Sequence, residues 1–351
     1  MDFEKLLKHK DLDKKMVFVL IIGLLVCSGI FFLKPLPHKT SSYPTDFLSH
    51  YARAAGIEKD LVGLDGFVAR AQDYPAYPPL FSFLTSPFAF NIQFYYLFIL
   101  ILFFVGFPAF LMWWSKNWFV GLAFLGSSVP FFFADGLIVY GFSALFILLF
   151  IKFKSPFFRI PLFLVSLAVH TLLFFHLGLW LIIEFLFDSK LGLGLLGVCA
   201  FNIPEAKTHE QVLEEFASRP ATTSVLGKVQ AHGSSYFDLF RFFLFNPLAI
   251  FGFVGLWFKD KKMLAYSCFL IFYGVVSLSG RFLTMAMLFL CIGLGYYYSF
   301  SKPFMKKLLV VATLLMVLVL FLHQLSLFKL IGFSFFTAFE CAICLGGFLC
   351  N

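Results

Sequence analysis

Residues 92–114 read IQFYYLFILILFFVGFPAFLMWW, a run of 23 residues that contains no charged side chain. An α-helix rises about 1.5 Å per residue, so a helix of this length can cross the hydrocarbon core of a bilayer, which is about 30 Å thick. Trp113 and Trp114 close the run, and tryptophan is typical of the membrane interface. The stretch therefore predicts a membrane-spanning helix.

The composition of the whole chain extends that prediction. Of its 351 residues, 61% are hydrophobic and 13% are charged, and 55 are phenylalanine, with a mean hydropathy of +0.91. Soluble domains are about 45–50% apolar and about 25% charged, and a water-facing protein of the present composition could not cover its surface with polar groups. We therefore expect an all-α, polytopic transmembrane helical bundle.

Similar apolar runs recur along the chain and predict about 10 to 12 spans in a single integral-membrane domain, residues 1–351. The run 160–187, with the shorter run 191–201 behind it, is compatible with one long tilted span or with three short ones. Both alternatives leave the downstream topology unchanged. The runs cover residues 16–33, 92–114, 118–134, 136–151, 160–187, 240–258, 263–279, 282–300, 308–322 and 331–350.

The net charge of +8 indicates how these spans are oriented. Cytoplasmic loops of membrane proteins are enriched in Lys and Arg, and with a cytoplasmic N-terminus every short basic cluster falls on that side. The charge is therefore a topology signal, and we expect a plasma-membrane protein with membrane lipids, not nucleic acid, as partners. Two long loops, residues 34–78 and 202–239, fall on the exterior. The clusters are Lys5, Lys8, Lys10, Lys14, Lys15; Lys116; Lys152, Lys154, Arg159; Lys259, Lys261, Lys262; and Lys302, Lys306, Lys307.

The first exterior loop contains an amphipathic segment, YPTDFLSHYARAAG at residues 43–56. Capping residues at its start and a glycine at its end predict a short helix, on which Asp46, His50 and Arg53 share one face. Two interpretations of that face are open. It is either the solvated surface of an interfacial helix, or a carboxylate held over the membrane with His and Arg beside it. Such a carboxylate can accept a proton from a hydroxyl or bind a divalent metal ion.

A second string, DYPAYPPLF at residues 73–81, follows this segment. Its prolines prevent a helix and favour an extended chain. Residues 80–90 are apolar but too short to span a bilayer, which predicts a re-entrant or interfacial piece.

The order of these features resembles the GT-C superfamily of integral-membrane glycosyltransferases. A first membrane helix precedes a loop helix with Asp46, His50 and Arg53, and a Tyr-Pro-Pro-Leu string follows at residues 77–80. The superfamily includes oligosaccharyltransferase catalytic subunits, protein mannosyltransferases and lipid-A aminoarabinose transferases. The resemblance is most specific over residues 40–90 and architectural beyond them. The Trp-Trp-Asp-Tyr-Gly motif of oligosaccharyltransferases has no counterpart here, so that subgroup is not expected.

The resemblance implies a GT-C-like bundle with exterior loop helices and assigns roles to particular residues. The acid of the first exterior loop is catalytic in the family, and it matches Asp46. A second acidic motif lies in the next exterior loop and matches Asp135 in FADG at residues 133–136, where the family often has two acids. If a metal takes part, Mg²⁺ or Mn²⁺ would bind between Asp46 and Asp135. Tyr77 of the Tyr-Pro-Pro-Leu string is expected to contact substrate.

Arg281 is another candidate site residue and lies in SLSGRFL at residues 277–283. A cation at a helix N-terminus opposes the helix dipole by about 0.3–1 kcal/mol, unless an anion is bound with it. Small-Arg-Phe at the start of a late helix is similar to GT-C proteins, in which an arginine contacts the lipid phosphate. A snorkelling interfacial arginine is the alternative. Arg241, at the outer start of the run 240–258, is a second candidate.

Ionisable residues are rare inside the predicted spans. His170 and His176 lie six residues apart and do not share a helix face, so we expect core or cavity-lining histidines rather than ligands. Glu184 and Glu340 are the acids within the spans, and the sequence suggests no partner spaced for either.

The predicted function is transfer of a sugar from a polyprenyl-phosphate donor to an acceptor at the exterior face. Asp46 would act as general base, Asp135 would assist, and Arg281 would stabilise the departing phosphate. Two alternatives stay open. One is a secondary transporter or flippase, which would require paired ionisable groups and broken helices inside the membrane; the other is an inactive GT-C-like scaffold. Further substrate contacts are expected from His50, Arg53, Arg241 and Tyr77.

Overall fold

The computed structural model describes residues 10–33, 45–55, 80–135, 137–170, 172–188, 243, 246–276 and 280–327. Of these residues 91% are helical and none lies in a strand, which confirms the all-α prediction for the described part. The helices are α1 (Lys10–Leu33), α2 (Thr45–Ala55), α3 (Leu80–Thr85), α4 (Ile92–Ile101), α5 (Phe107–Ser115), α6 (Trp118–Leu125), α7 (Val129–Asp135), α8 (Ile138–Lys152), α9 (Pro156–Val169), α10 (Leu172–Asp188), α11 (Ala249–Lys259), α12 (Lys261–Val276), α13 (Gly280–Phe300) and α14 (Pro303–Leu327).

Four helical segments of the described chain are long and apolar enough to cross a membrane: Lys14–Leu33, Ile92–Ser115, Arg281–Phe300 and Pro303–Leu325. The prediction of a membrane protein with transmembrane helices is confirmed in these segments. The larger number of spans and the GT-C-like arrangement stay predictions. The loop 202–239 and the run 331–350 lie outside the described residues.

The opening run, residues 92–114, forms one helix with a local irregularity. Helices α4 and α5 are joined through a wider π-helical turn at Leu102–Gly106. Pro108 lies near the start of α5, and proline has no N–H to donate and crowds the turn before it. The helix widens locally and continues, so the span expected from the sequence is preserved.

The run 118–134, predicted as one span, is interrupted. Helix α6 ends at Leu125, and α7 starts at Val129. The side chain of Asn246 provides hydrogen bonds at this break. Its amide oxygen accepts a hydrogen bond from the Ser128 N–H at 2.9 Å, and its amide nitrogen donates to the Ser128 hydroxyl at 3.0 Å. Non-helical backbone at membrane depth is tolerated where protein side chains replace the lost helix bonds.

The run 160–187 is neither one long span nor a continuous helix. It divides into α9 and α10, which contact each other, with His170 in the turn between them. The Arg159 guanidinium, near the start of α9, donates two hydrogen bonds to the Glu184 carboxylate, near the end of α10, at 2.7 and 2.9 Å. The two helices are therefore antiparallel. The expectation that Glu184 has no partner is wrong, because periodicity compares only neighbouring turns of one helix.

Helix α13 lies at the centre of the described bundle. It packs against α6, α7, α11, α12 and α14, and its residues from Phe282 to Ile292 are nearly all buried on every side. A helix that is apolar all round requires neighbours all round. Arg281, at its first turn, therefore begins a helix that is enclosed by protein over most of its length.

The bundle has two chemically different ends. At the first, which we call the lysine end, Lys15 and Lys306 lie over the rings of Trp118 and Tyr298. There Lys152 also donates to the Trp114 carbonyl at 3.0 Å. At the second, the loop end, α2 packs on α3 and α7. The structure thus collects basic clusters at one end; which side of a membrane that end faces stays a prediction.

Candidate functional site

Helix α2 is anchored to the loop end by its apolar residues. Phe47 is fully buried and packs its ring against Tyr95 and Tyr96, with centroids 5.5 and 5.2 Å apart. This anchoring turns the neighbouring side chains of the helix toward the protein. His50 follows on the next turn and lies edge-on to Phe81 at 5.8 Å.

His50 is only 5% exposed, so a fully solvated polar face on α2 is wrong for this residue. Burial, together with the nearby Arg53 and His170, lowers the pKa of His50 to about 3. The imidazole is therefore neutral at physiological pH. A neutral ring can accept or donate a hydrogen bond without adding charge to the site.

His170 lies beside α2 in the turn between α9 and α10. Its Nδ1 accepts a hydrogen bond from the Leu172 N–H at 3.0 Å, so the ring caps the first turn of α10. This bond fixes the ring orientation and closes the helical hairpin at the loop end. The ring of Tyr140 stands edge-on to His170 with centroids 5.9 Å apart.

Arg281 lies close to the same groups. Its guanidinium charge acts electrostatically on both His170 and Tyr140. The residue lies in the first turn of α13, where the helix dipole adds positive potential. A guanidinium close to a helix N-terminus favours the binding of an anion.

A buried hydrogen-bonded chain leads inward from this surface. The Tyr140 hydroxyl and Nε2 of His176 are 2.7 Å apart, and Nδ1 of His176 lies 2.6 Å from the Tyr266 hydroxyl. All three side chains are buried. Both ring nitrogens of His176 are therefore satisfied inside an otherwise apolar bundle, which is what a buried polar group requires.

A pattern in the sequence of α10 could have predicted that His176 faces other protein groups, although its spacing from His170 does not. His176, Trp180, Glu184 and Asp188 recur at intervals of four along α10, so they form one stripe of the helix. Polar residues on one stripe of an otherwise apolar membrane segment face protein rather than lipid. The prediction that His176 is a core histidine agrees with its full burial.

The structure brings together only part of the predicted site. Charge interactions link His50 to Arg53 and His170, and His170 to Arg281, so these four side chains belong to one region of the loop end. Helix α2 contacts α7, and α7 contacts α13, so the backbones that carry Asp46, Asp135 and Arg281 belong to adjoining helices. The side chains of Asp46 and Asp135 are not among those described, and Tyr77 and Arg241 lie outside the described residues.

The described side chains at the loop end suit an anion better than a divalent cation. Mg²⁺ prefers oxygen ligands, above all carboxylates, whereas the residues here are two arginines and neutral histidine and tyrosine groups. No cluster of three or more potential metal ligands occurs within the described ranges. A Mg²⁺ or Mn²⁺ ion would depend on Asp46 and Asp135.

Comparisons with known proteins give no match. No protein-family model fits the chain, and neither a curated protein nor a solved structure is significantly similar to it. The resemblance to GT-C enzymes therefore rests on the quoted residues and their order.

The Tyr140–His176–Tyr266 chain predicts a specific loss of stability. Replacing Tyr266 by Phe leaves Nδ1 of the buried His176 without its partner, and should lower the free energy of unfolding by about 1–2 kcal/mol. Tyr140→Phe should act similarly through Nε2. Denaturant titration of purified protein in one detergent measures both changes.

Tyr297→Phe is the matched control for these variants. The Tyr297 ring packs against Phe251 and Phe300, and the described part of the structure records no hydrogen bond from its hydroxyl. Equal losses for Tyr266→Phe and Tyr297→Phe would show that the His176 contacts contribute nothing specific.

Proposed function

We propose that the protein is a membrane glycosyltransferase that transfers a sugar from a polyprenyl-phosphate donor to an acceptor hydroxyl at the loop end. The observation that carries the proposal is the placement of Arg281. Arg281 lies in the first turn of α13, which packs against α7, and α7 packs against α2; these two helices carry the acids matched to the GT-C pattern. In this proposal the N-terminus is cytoplasmic and the loop end faces the exterior of the cell.

Arg281 would bind the phosphate of the donor. Arginine forms paired, charge-assisted hydrogen bonds to phosphate oxygens, and the N-terminus of α13 adds its dipole. The lipid tail would lie along apolar helix surfaces, of which this chain has many. Phosphate charge increases as the sugar–phosphate bond breaks, so a preorganised cation there lowers the barrier.

Asp46 would act on the acceptor. Its carboxylate would take the proton of the acceptor hydroxyl while the acceptor oxygen forms a bond to the anomeric carbon. In the same step the bond from that carbon to the phosphate oxygen breaks, and polyprenyl phosphate leaves with the electron pair. One displacement of this kind inverts the anomeric centre. Asp135 would assist from the end of α7, and neutral His50 would orient polar groups of the substrates.

Asp46→Asn tests this assignment. A general base contributes about 100-fold to 10,000-fold to a rate, so we expect transfer from a polyprenyl-phosphate-linked sugar to fall by at least about 100-fold. The assay is sugar transfer by purified protein in liposomes, at matched expression and unfolding temperature.

The control for Asp46→Asn is Asp188→Asn. Asp188 is exposed and pairs with Lys262 at the lysine end at 2.6 Å, so its replacement removes an equal charge far from the proposed site. Retained transfer in Asp46→Asn, with normal folding, would refute the role of Asp46 as base.

Two observations favour a transporter or flippase as the second candidate. The α6–α7 segment is a broken helix held by Asn246, and the Tyr140–His176–Tyr266 chain runs through a buried region. Transporters use both features. Substrate uptake or lipid scrambling in proteoliposomes, with no sugar transfer, would decide for this function.

A further inference from the structure

A cleft at the lysine end is unrelated to the proposed transfer site. It has a volume of about 390 Å³ and is lined by four lysines, Lys154, Lys259, Lys261 and Lys262, together with the acids Glu184 and Asp260. We call it the lysine pocket. It opens between the ends of α8, α10 and α11 and the start of α12.

The acids of the lysine pocket are already engaged. Both carboxylate oxygens of Glu184 accept hydrogen bonds from Arg159, and Asp260 accepts the Met263 N–H at 3.0 Å as the cap of α12. The charge of Glu184 is therefore shared between Arg159 and Lys262, and that of Asp260 lies at the start of α12.

Two of the four lysines contact other side chains. Lys262 donates to Asp188 at 2.6 Å, and Lys261 lies over the Trp257 ring at 5.9 Å. Within the described structure, no hydrogen bond is recorded for the ammonium groups of Lys154 and Lys259, and both side chains are exposed. The pocket therefore has a net positive charge that its own residues do not neutralise.

The position of Lys261 and Lys262 reinforces this conclusion. They occupy the first turn of α12, where the helix dipole already contributes positive potential and cations are unfavourable. An anion in the cleft would relieve that repulsion. The apolar walls, Ile151, Trp180 and Phe187, suit a ligand that combines an anionic head with hydrocarbon.

From these features we infer that the lysine pocket binds the phosphate headgroup of an anionic phospholipid. Basic pockets between membrane helices recognise such headgroups through lysine charges at the headgroup level. The headgroup phosphate would lie among Lys154, Lys259 and Lys261, with its acyl chains along the Phe187 side of the cleft. Sugar transfer at the loop end plays no part in this inference.

The test compares two triple variants of the full-length protein. Lys154→Gln/Lys259→Gln/Lys261→Gln removes three of the four lysine charges of the pocket, and Lys302→Gln/Lys306→Gln/Lys307→Gln removes the same charge at the start of α14, outside the pocket. Native mass spectrometry in neutral detergent measures binding of short-chain phosphatidic acid, phosphatidylcholine and inorganic phosphate.

We expect phosphatidic acid to bind wild type and the α14 variant alike, and the pocket variant at least about tenfold more weakly. Equal weakening in both variants, or equal binding of phosphatidylcholine, would overturn the inference. If inorganic phosphate binds alone and displaces the lipid, the pocket is a site for free phosphate, and the inference of a phospholipid site is overturned. Lys259→Glu, at an exposed side chain, gives the same comparison if a triple variant fails to purify.

Discussion

Arg281→Ala should lower the rate of sugar transfer by about 100-fold or more, with most of the loss in kcat. The proposed role of the guanidinium is to stabilise charge that develops on the departing phosphate, and the loss of one such preorganised donor costs about 100-fold to 1,000-fold in kcat. Loss of a group that only binds the donor would raise KM and leave kcat unchanged. Initial rates against donor concentration separate the two effects.

Arg281→Lys sharpens this prediction. Lysine keeps the charge but loses the planar fork that binds two phosphate oxygens at once, so we expect a loss of about tenfold, intermediate between wild type and alanine. Lys306→Ala, which removes a cation from the lysine end, should leave transfer unchanged.

Full activity in Arg281→Ala would contradict the proposed phosphate site. A folding defect is distinguished by the unfolding temperature, since Arg281 is only partly buried and its truncation should leave α13 packed.

Gly255→Ala should destabilise the bundle by about 3 kcal/mol or more. Helix α11 lies so close to α13 that a Cβ at Gly255 would overlap the Gly293 carbonyl oxygen. A Cβ at Gly293 would likewise meet the Gly252 carbonyl. Because the obstacle is backbone and not a flexible side chain, the two helices must separate. Small residues permit such close approach in membrane bundles.

Gly178→Ala is the matched control. Gly178 lies within α10, and an added Cβ there meets no atom within 4 Å, so alanine should be neutral or stabilising by about 0.5–1 kcal/mol through helix propensity. Unfolding of both variants is measured in the same detergent by tryptophan fluorescence. If Gly255→Ala unfolds like Gly178→Ala, the close α11–α13 contact is not a determinant of stability.

The sequence predicted the features that depend on local composition. The opening run, residues 92–114, became a helix that is long and apolar enough to cross a membrane. The first basic-flanked run and the two runs beginning near Arg281 and Leu308 did so as well. A span of apolar residues needs no partner to define it, because the bilayer itself is the solvent.

The sequence was less informative about where helices break. The interruption between α6 and α7 depends on Asn246, more than a hundred residues away. The sequence left open whether residues 160–187 belong to one long span, and the structure divides them into α9 and α10 at His170. In both cases the decisive hydrogen bonds join residues that no helical period relates.

The candidate site, too, was predicted from the sequence only in part. Helical spacing correctly placed Asp46, His50 and Arg53 on one short helix, α2. It could not show that His50 turns inward against Phe81, because the direction of an amphipathic face depends on what covers it. It also missed Arg159 as the partner of Glu184.

By itself, the sequence determined that the protein belongs in a membrane and that it is helical. It also determined which polar residues are candidates for a functional site. Hydrophobic periodicity and charge placement are sufficient for these, since each is a property of consecutive residues. Only the tertiary structure decided which polar groups meet: His176 with Tyr140 and Tyr266, Arg159 with Glu184, and the lysines around one cleft. Those meetings arise from helix packing, in which the partners are far apart in sequence and are chosen by the fit of whole surfaces.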